Sequence, residues 1–316
     1  MVEKLTVSSS PHILSKNSTS KIMLDVVIAL LPATLAAFYY FRMNAVILTV
    51  LAVVSAVACE WGIQKIRNKK STIGDFSAVI TGLLLALNIP ASAPWWIPIV
   101  GSAFAIIIVK QLFGGIGQNF MNPALAARIM LTISWTDPMT KWVKPGVDAV
   151  STATPLSYVK GVTAVPEGAP SIFDTLIGNI GGSMGETSAL LLILGGVYLV
   201  YRGVISPRVP LIYVGTVAVL SFIYGGFDVN FMLYHVLSGG LMLGAIYMAT
   251  DYASSPVTKK GKIIFALGCG IITAAIRFYG AYAEGVGFSI LLMNVASPLI
   301  EKYTSPRVFG EVKQNA

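Results

Sequence analysis

The sequence predicts an all-α polytopic membrane protein: about ten transmembrane helices in two inverted five-helix repeats, with a central extracytoplasmic loop. Three observations carry that prediction. Of 316 residues, 55% are hydrophobic and only 11% charged, with a mean hydropathy of +0.75, against roughly 25% charged residues in soluble domains. Apolar runs recur along both halves of the chain, and Lys and Arg collect on one side of them. The net charge of +8 therefore reads as basic loops facing the cytoplasm, not as a nucleic-acid surface.

A spanning helix needs roughly 20 mainly apolar residues. After a polar N-terminal tail, 1–21, runs 22–41 and 45–63 meet that length. Shorter runs at 76–87, 95–109 and 123–135 complete a first repeat, 22–135. A loop, 136–187, follows, and then a second repeat, 188–300, with runs at 188–200, 209–224, 231–249, 263–278 and 286–300. Residues 301–316 form a C-terminal tail. No cleavable signal peptide is expected, because the first apolar run is a full span with no small-residue cleavage pattern after it.

With a cytoplasmic N-terminus, the inner segments hold Lys4, Lys16, Lys21, Lys65, Arg67, Lys69, Lys70, Lys110, Arg202, Arg208, Lys259, Lys260, Lys262, Lys302, Arg307 and Lys313. The outer segments hold only Arg42, Lys141, Lys144 and Lys160. Positive charge stays inside, so both termini are expected in the cytoplasm and the central loop outside it. Five spans per half make any duplication inverted. Thr81-Gly82-Leu83-Leu84-Leu85-Ala86 with a later Asn122-Pro123 is echoed by Gly239-Gly240-Leu241-Met242-Leu243-Gly244 with a later Asn294 and Pro298. Paired Gly- and Pro-interrupted segments of this kind point to a site at the repeat interface.

Four charged residues fall within the runs, Asp25, Glu60, Arg128 and, at the end of its run, Arg277. Asp25 and Glu60 lie near the predicted cytoplasmic helix ends, beside Lys21 and Lys65, where snorkelling is the plain reading. Arg128 follows the Gly- and Asn-rich entry Gly114 to Pro123. That entry admits two readings, a backbone that approaches a ligand closely and a tight packing turn with Pro at the helix start. Gly181-Gly182-Ser183-Met184-Gly185 has no following Lys and reads as a flexible re-entry, not a P-loop. His12 and His235 have no partner at metal-ligand spacing, and Cys59 and Cys269 read as small buried hydrophobes.

The chemically distinct stretch is Asp148-Ala149-Val150-Ser151-Thr152-Ala153-Thr154-Pro155, a hydroxyl-rich island in the loop. It resembles the acceptor sequence at which a flavin transferase joins the FMN phosphate to a threonine as a phosphoester. The family carries a small residue where this chain has Thr152, and the register, with Ala153 directly before the acceptor, selects Thr154. Further stretches, Asp75-Phe76-Ser77-Ala78, Phe113-Gly114-Gly115, Met248-Ala249-Thr250-Asp251 and Tyr282-Ala283-Glu284-Gly285, extend the resemblance over nearly the whole chain. It is similar to the D subunits of Rnf ion-translocating electron-transfer complexes and, more distantly, to the B subunits of sodium-pumping NADH:quinone reductases.

That resemblance implies a chain of electron transfers between ferredoxin and NAD coupled to Na+ or H+ movement. It implies partner subunits with iron–sulfur centres, a G subunit with a second covalent FMN, a cell-membrane location, and a non-covalent riboflavin within the membrane. On this reading Ser151 and Thr152 hold the phosphate or ribityl chain, Asp148 serves transferase recognition, and Asn119, Asn122 and Arg128 are candidate flavin contacts. Two other readings stand beside it: a flavin-free transporter or channel lined by Arg128 and Asp25, and a structural anchor for redox partners.

Overall fold

The computed structural model describes residues 18–143, 145, 153–162, 165–166, 168–186 and 188–306. Helices make up its regular structure, with no strand among the described residues; Pro90 and Ser183 form an isolated bridge. The longest is α1, Thr19–Ile66, capped by Ser18 and broken at Arg42, whose φ of 52° and ψ of −137° are not helical. The break falls inside the expected connection between the first two apolar runs.

Next come α2 (Ser77–Leu87), α3 (Trp96–Ala103) and α4 (Pro123–Ser134). Beyond α3 the chain widens to i→i+5 bonding over Phe104–Gln111, a π-helical turn of the kind often found at functional sites. The second half contains α5 (Ala189–Tyr201), α6 (Arg208–Tyr224), α7 (Val229–Leu237), α8 (Leu241–Met248), α9 (Lys259–Tyr279) and α10 (Val286–Thr304). By length and apolarity α1 and α9 can cross a membrane, and α7 with α8 makes a third candidate bent by 60° at its break.

That break corrects the expectation of one continuous helix over 231–249. Gly239 and Gly240 both take left-handed φ, 71° and 65°, which costs a residue with a side chain 1–2 kcal/mol or so. Gly240 then caps α8. The carbonyls freed at the end of α7 are not orphaned, because Arg277 donates to those of His235, Ser238 and Gly239.

Most of the described interior is a large apolar cluster joining both halves of the chain, with two smaller clusters beside it. Small residues let its backbones approach closely, as membrane helices require. A Cβ built on Gly82 would sit 2.7 Å from the Ala52 carbonyl oxygen and 2.8 Å from the Val53 Cα. Gly82→Val is therefore expected to lower stability by roughly 1–3 kcal/mol. Thermal unfolding of the purified protein checks this, and an unchanged midpoint would show that α1 and α2 can separate freely.

The segment 180–186 is packed, where the sequence reading expected a flexible re-entry. Met184 N–H donates to Ile89 O at 3.1 Å, and Met184 and Glu186 are buried. The turn thereby brings an acidic side chain into the helical body.

Candidate functional site

Thr154 sits at the start of a five-residue helix, Pro155–Val159, anchored by Leu156 and Val159 in a cluster with Phe231 and Tyr234 of α7. Its extended backbone (φ −72°, ψ 155°) makes it the N-cap. The Oγ1 accepts from Ser157 N–H at 3.3 Å and lies 2.8 Å from Ser157 Oγ. Only 3% of the residue is exposed, yet it lines a cavity of about 530 Å³ that reaches to α4 and the start of α10. Arg128, Trp142, Tyr282, Glu284 and Phe288 share that wall with Ala153, Thr154 and Ser157. The Tyr282 and Phe288 rings stack at 5.1 Å and 27°.

Arg128 gathers the polar groups behind this cavity. Its Nη1 donates to Asn88 Oδ1 at 2.9 Å, its Nη2 pairs with Glu284 Oε2, and Glu186 Oε1 stands 3.9 Å from the same Nη2. Glu186 accepts in addition from the Ser183 hydroxyl. A charge in a membrane interior usually marks a pathway or site, and here three meet.

The structure thus brings Arg128, Ala153 and Thr154 together but separates them from Asn119 and Asn122. Those two line another cavity, of about 620 Å³, with Asp251, Ser254 and Asn294. The two cavities meet opposite ends of α10, Gly287 and Phe288 in one and Asn294 to Glu301 in the other. Asn122 caps α4, its Oδ1 accepting from Ala124 and Leu125 N–H at 3.1 and 3.2 Å, and Asn119 donates to Met121 O at 3.0 Å. Asn122 and Pro123 form the packing turn at the helix start, and the same entry lines the cavity, so the geometry accommodates both readings of it. Asp148, Ser151 and Thr152 lie outside the described residues.

Glu60 and Lys110 correct the sequence reading outright. Neither snorkels nor sits in a loop: Glu60 is 0% and Lys110 3% exposed. Lys110 Nζ lies 2.9 Å from both Glu60 oxygens and 2.6 Å from Ser77 Oγ, with Gln111 Nε2 adding a 2.9 Å bond to Glu60. The widened turn over Phe104–Gln111 is what presents Lys110 and Gln111 to Glu60 together. Asp25 is also buried, paired with Arg202 at 3.1 Å and with Tyr198 Oη at 2.9 Å. His235 is buried against Phe231 and Phe278. The described residues hold no metal-binding cluster of His, Cys, Asp or Glu.

Apolar helices, one of them broken in the interior, enclosing paired charges and two cavities, define the class: an integral membrane protein with charged groups buried inside its helical body. The model of the NQR2, RnfD, RnfE family matches residues 6–310, and the chain belongs to that family. It is 55% identical over 313 residues to the D subunit of the Na(+)-translocating ferredoxin:NAD(+) oxidoreductase complex of Acetobacterium woodii, covering 98% of this chain and 96% of the relative. It is 44% identical to the D subunit of the proton-translocating ferredoxin:NAD(+) oxidoreductase complex of Clostridium ljungdahlii, covering 96% of each. It is 39% identical to the D subunit of the ion-translocating oxidoreductase complex of Stutzerimonas stutzeri, covering 93% of each.

Proposed function

We propose that this chain is the electron-relaying membrane subunit of an Rnf-type ferredoxin:NAD oxidoreductase, carrying FMN as a phosphoester on Thr154. The observation that carries the reading is the position of that hydroxyl on the wall of a cavity of about 530 Å³, within the size range of cofactor sites. The donor set fits the group. Thr154 offers the esterifiable oxygen, Arg128 a cation for an anionic ligand, and Trp142, Tyr282 and Phe288 apolar faces for a flat ring. FMN, when bound, supplies one- or two-electron chemistry, and the protein supplies position and electrostatics. Asp148, Ser151 and Thr152 complete the attachment sequence.

The same reading assigns ten spans in two inverted repeats, cytoplasmic termini, and the Thr154 loop to the outer face of the cell membrane. The bias of inner over outer Lys and Arg, fifteen to four once the buried Lys110 is set aside, and the broken helix α7–α8 support it. Relatives named for Na+ and for H+ translocation leave either as the coupled ion. The partners proposed are the iron–sulfur subunits, the FMN-bearing G subunit and a flavin transferase. A non-covalent riboflavin has room in the second cavity, beside Asn119 and Asn122. Mass spectrometry of the peptide 142–160 from native complex is expected to find one FMN mass on Thr154, and a bare peptide would overturn the assignment.

A second reading, a flavin-free transporter, draws on the broken helix, because interrupted helices at mid-membrane form transporter sites. It predicts that same peptide unmodified.

A further inference from the structure

We propose that Glu186 and Glu284 hold a single proton between them behind Arg128, so that the inner wall of the Thr154 cavity is a proton-binding site. Arg128 spends Nη1 on Asn88 and Nη2 on Glu284, and Glu186 Oε1, 3.9 Å from that Nη2, lies beyond hydrogen-bonding distance. Ser183 gives Glu186 a single hydroxyl. Glu186 is 4% exposed, and its Oε2, like Glu284 Oε1, is buried with no donor facing it. The two carboxyls converge on one nitrogen, Glu284 Oε2 paired with Arg128 Nη2 and Glu186 Oε1 3.9 Å from the same atom. Two buried carboxylates set around a single guanidinium nitrogen do not both stay ionised, and one shared proton satisfies both.

Among the described residues a second cation stands close by, Arg277 at Gly239 where Glu186 meets Gly240, and its Nη1 and Nη2 are committed to the carbonyls of His235, Ser238 and Gly239. It stabilises the pair without giving either carboxyl a hydrogen bond. Glu284 lines the cavity and Glu186 does not, so protons reach Glu186 from the cavity by way of Glu284. With the proton held, the cavity meets a neutral acid and the Arg128–Glu284 pair; with it released, one more negative charge. The site thus sets the charge opposite any anion in the cavity, a role that rests on the phosphoester reading of Thr154, although the proton site itself does not.

Infrared spectra of the purified complex at neutral pH test this. Wild type is expected to show a protonated-carboxyl C=O band that shifts in D2O. It should be absent from both E186Q and E284Q, since either change leaves one carboxylate alone with Arg128, and present in T154A. Loss of only an ionised carboxylate band in E186Q would overturn the proposal, as would survival of the C=O band in E284Q. If E186Q does not assemble, E284Q decides by the same band. Failure of the flavin assignment is read separately, from an unmodified Thr154 peptide, and leaves the infrared result standing.

Discussion

Thr154→Ala is expected to abolish the ultraviolet-fluorescent band that the phosphoester reading predicts for the wild-type chain on a denaturing gel when a flavin transferase is co-expressed, and to reduce ferredoxin-dependent NAD reduction to background. The expected loss is complete, because a phosphoester needs the hydroxyl oxygen and Ala has none. Misfolding offers a weaker account of such a result. Losing the N-cap bond from Ser157 N–H costs about 1 kcal/mol, and the helix it caps spans only Pro155–Val159. Thr154→Ser, which keeps both cap and hydroxyl, provides the control for folding. Thr152→Ala is expected to remain fluorescent, since the register with Ala153 selects the later threonine. A fluorescent band that persists in Thr154→Ala and disappears in Thr152→Ala would move the attachment point and remove the described cavity from the reading.

The features legible in the sequence are those encoded by neighbours. Periodic apolar runs mark where helices form, Ser18, Asn122 and Thr258 cap three of them, and the attachment stretch is contiguous. The charge pairs were not legible, because fifty residues separate Glu60 from Lys110 and 156 separate Arg128 from Glu284. Nothing local distinguishes a snorkelling Glu60 from one that meets a lysine presented by a widened turn elsewhere. Glu284 stands in one of the stretches that carry the resemblance, Glu186 in none, and neither is marked as a charged partner of Arg128 by its neighbours, Gly185 beside Glu186 and Gly285 beside Glu284. The interruption at Gly239-Gly240 is legible as a paired glycine, but its 60° bend is not, because the apolar run continues across it and hydropathy alone joins what backbone geometry divides.

Lys110→Met is expected to be the most destabilising single substitution outside the Thr154 cavity. Glu60 is fully buried, and its carboxylate takes both short contacts from Lys110 Nζ. Methionine matches the apolar stem of lysine but leaves that carboxylate with only the Gln111, Gln64 and Thr72 donors. Breaking a buried pair from one side costs roughly 3–5 kcal/mol, whereas removing both charges is often nearly neutral. The double variant Glu60→Gln/Lys110→Met should therefore recover much of the loss, giving a coupling energy well above the ~0.3–0.5 kcal/mol within which independent sites add. Thermal unfolding of wild type, both single variants and the double variant in one detergent measures it. If the two single effects simply add, the ion pair is not what holds α1 to the widened turn after α3, and apolar packing along the rest of α3 carries that contact.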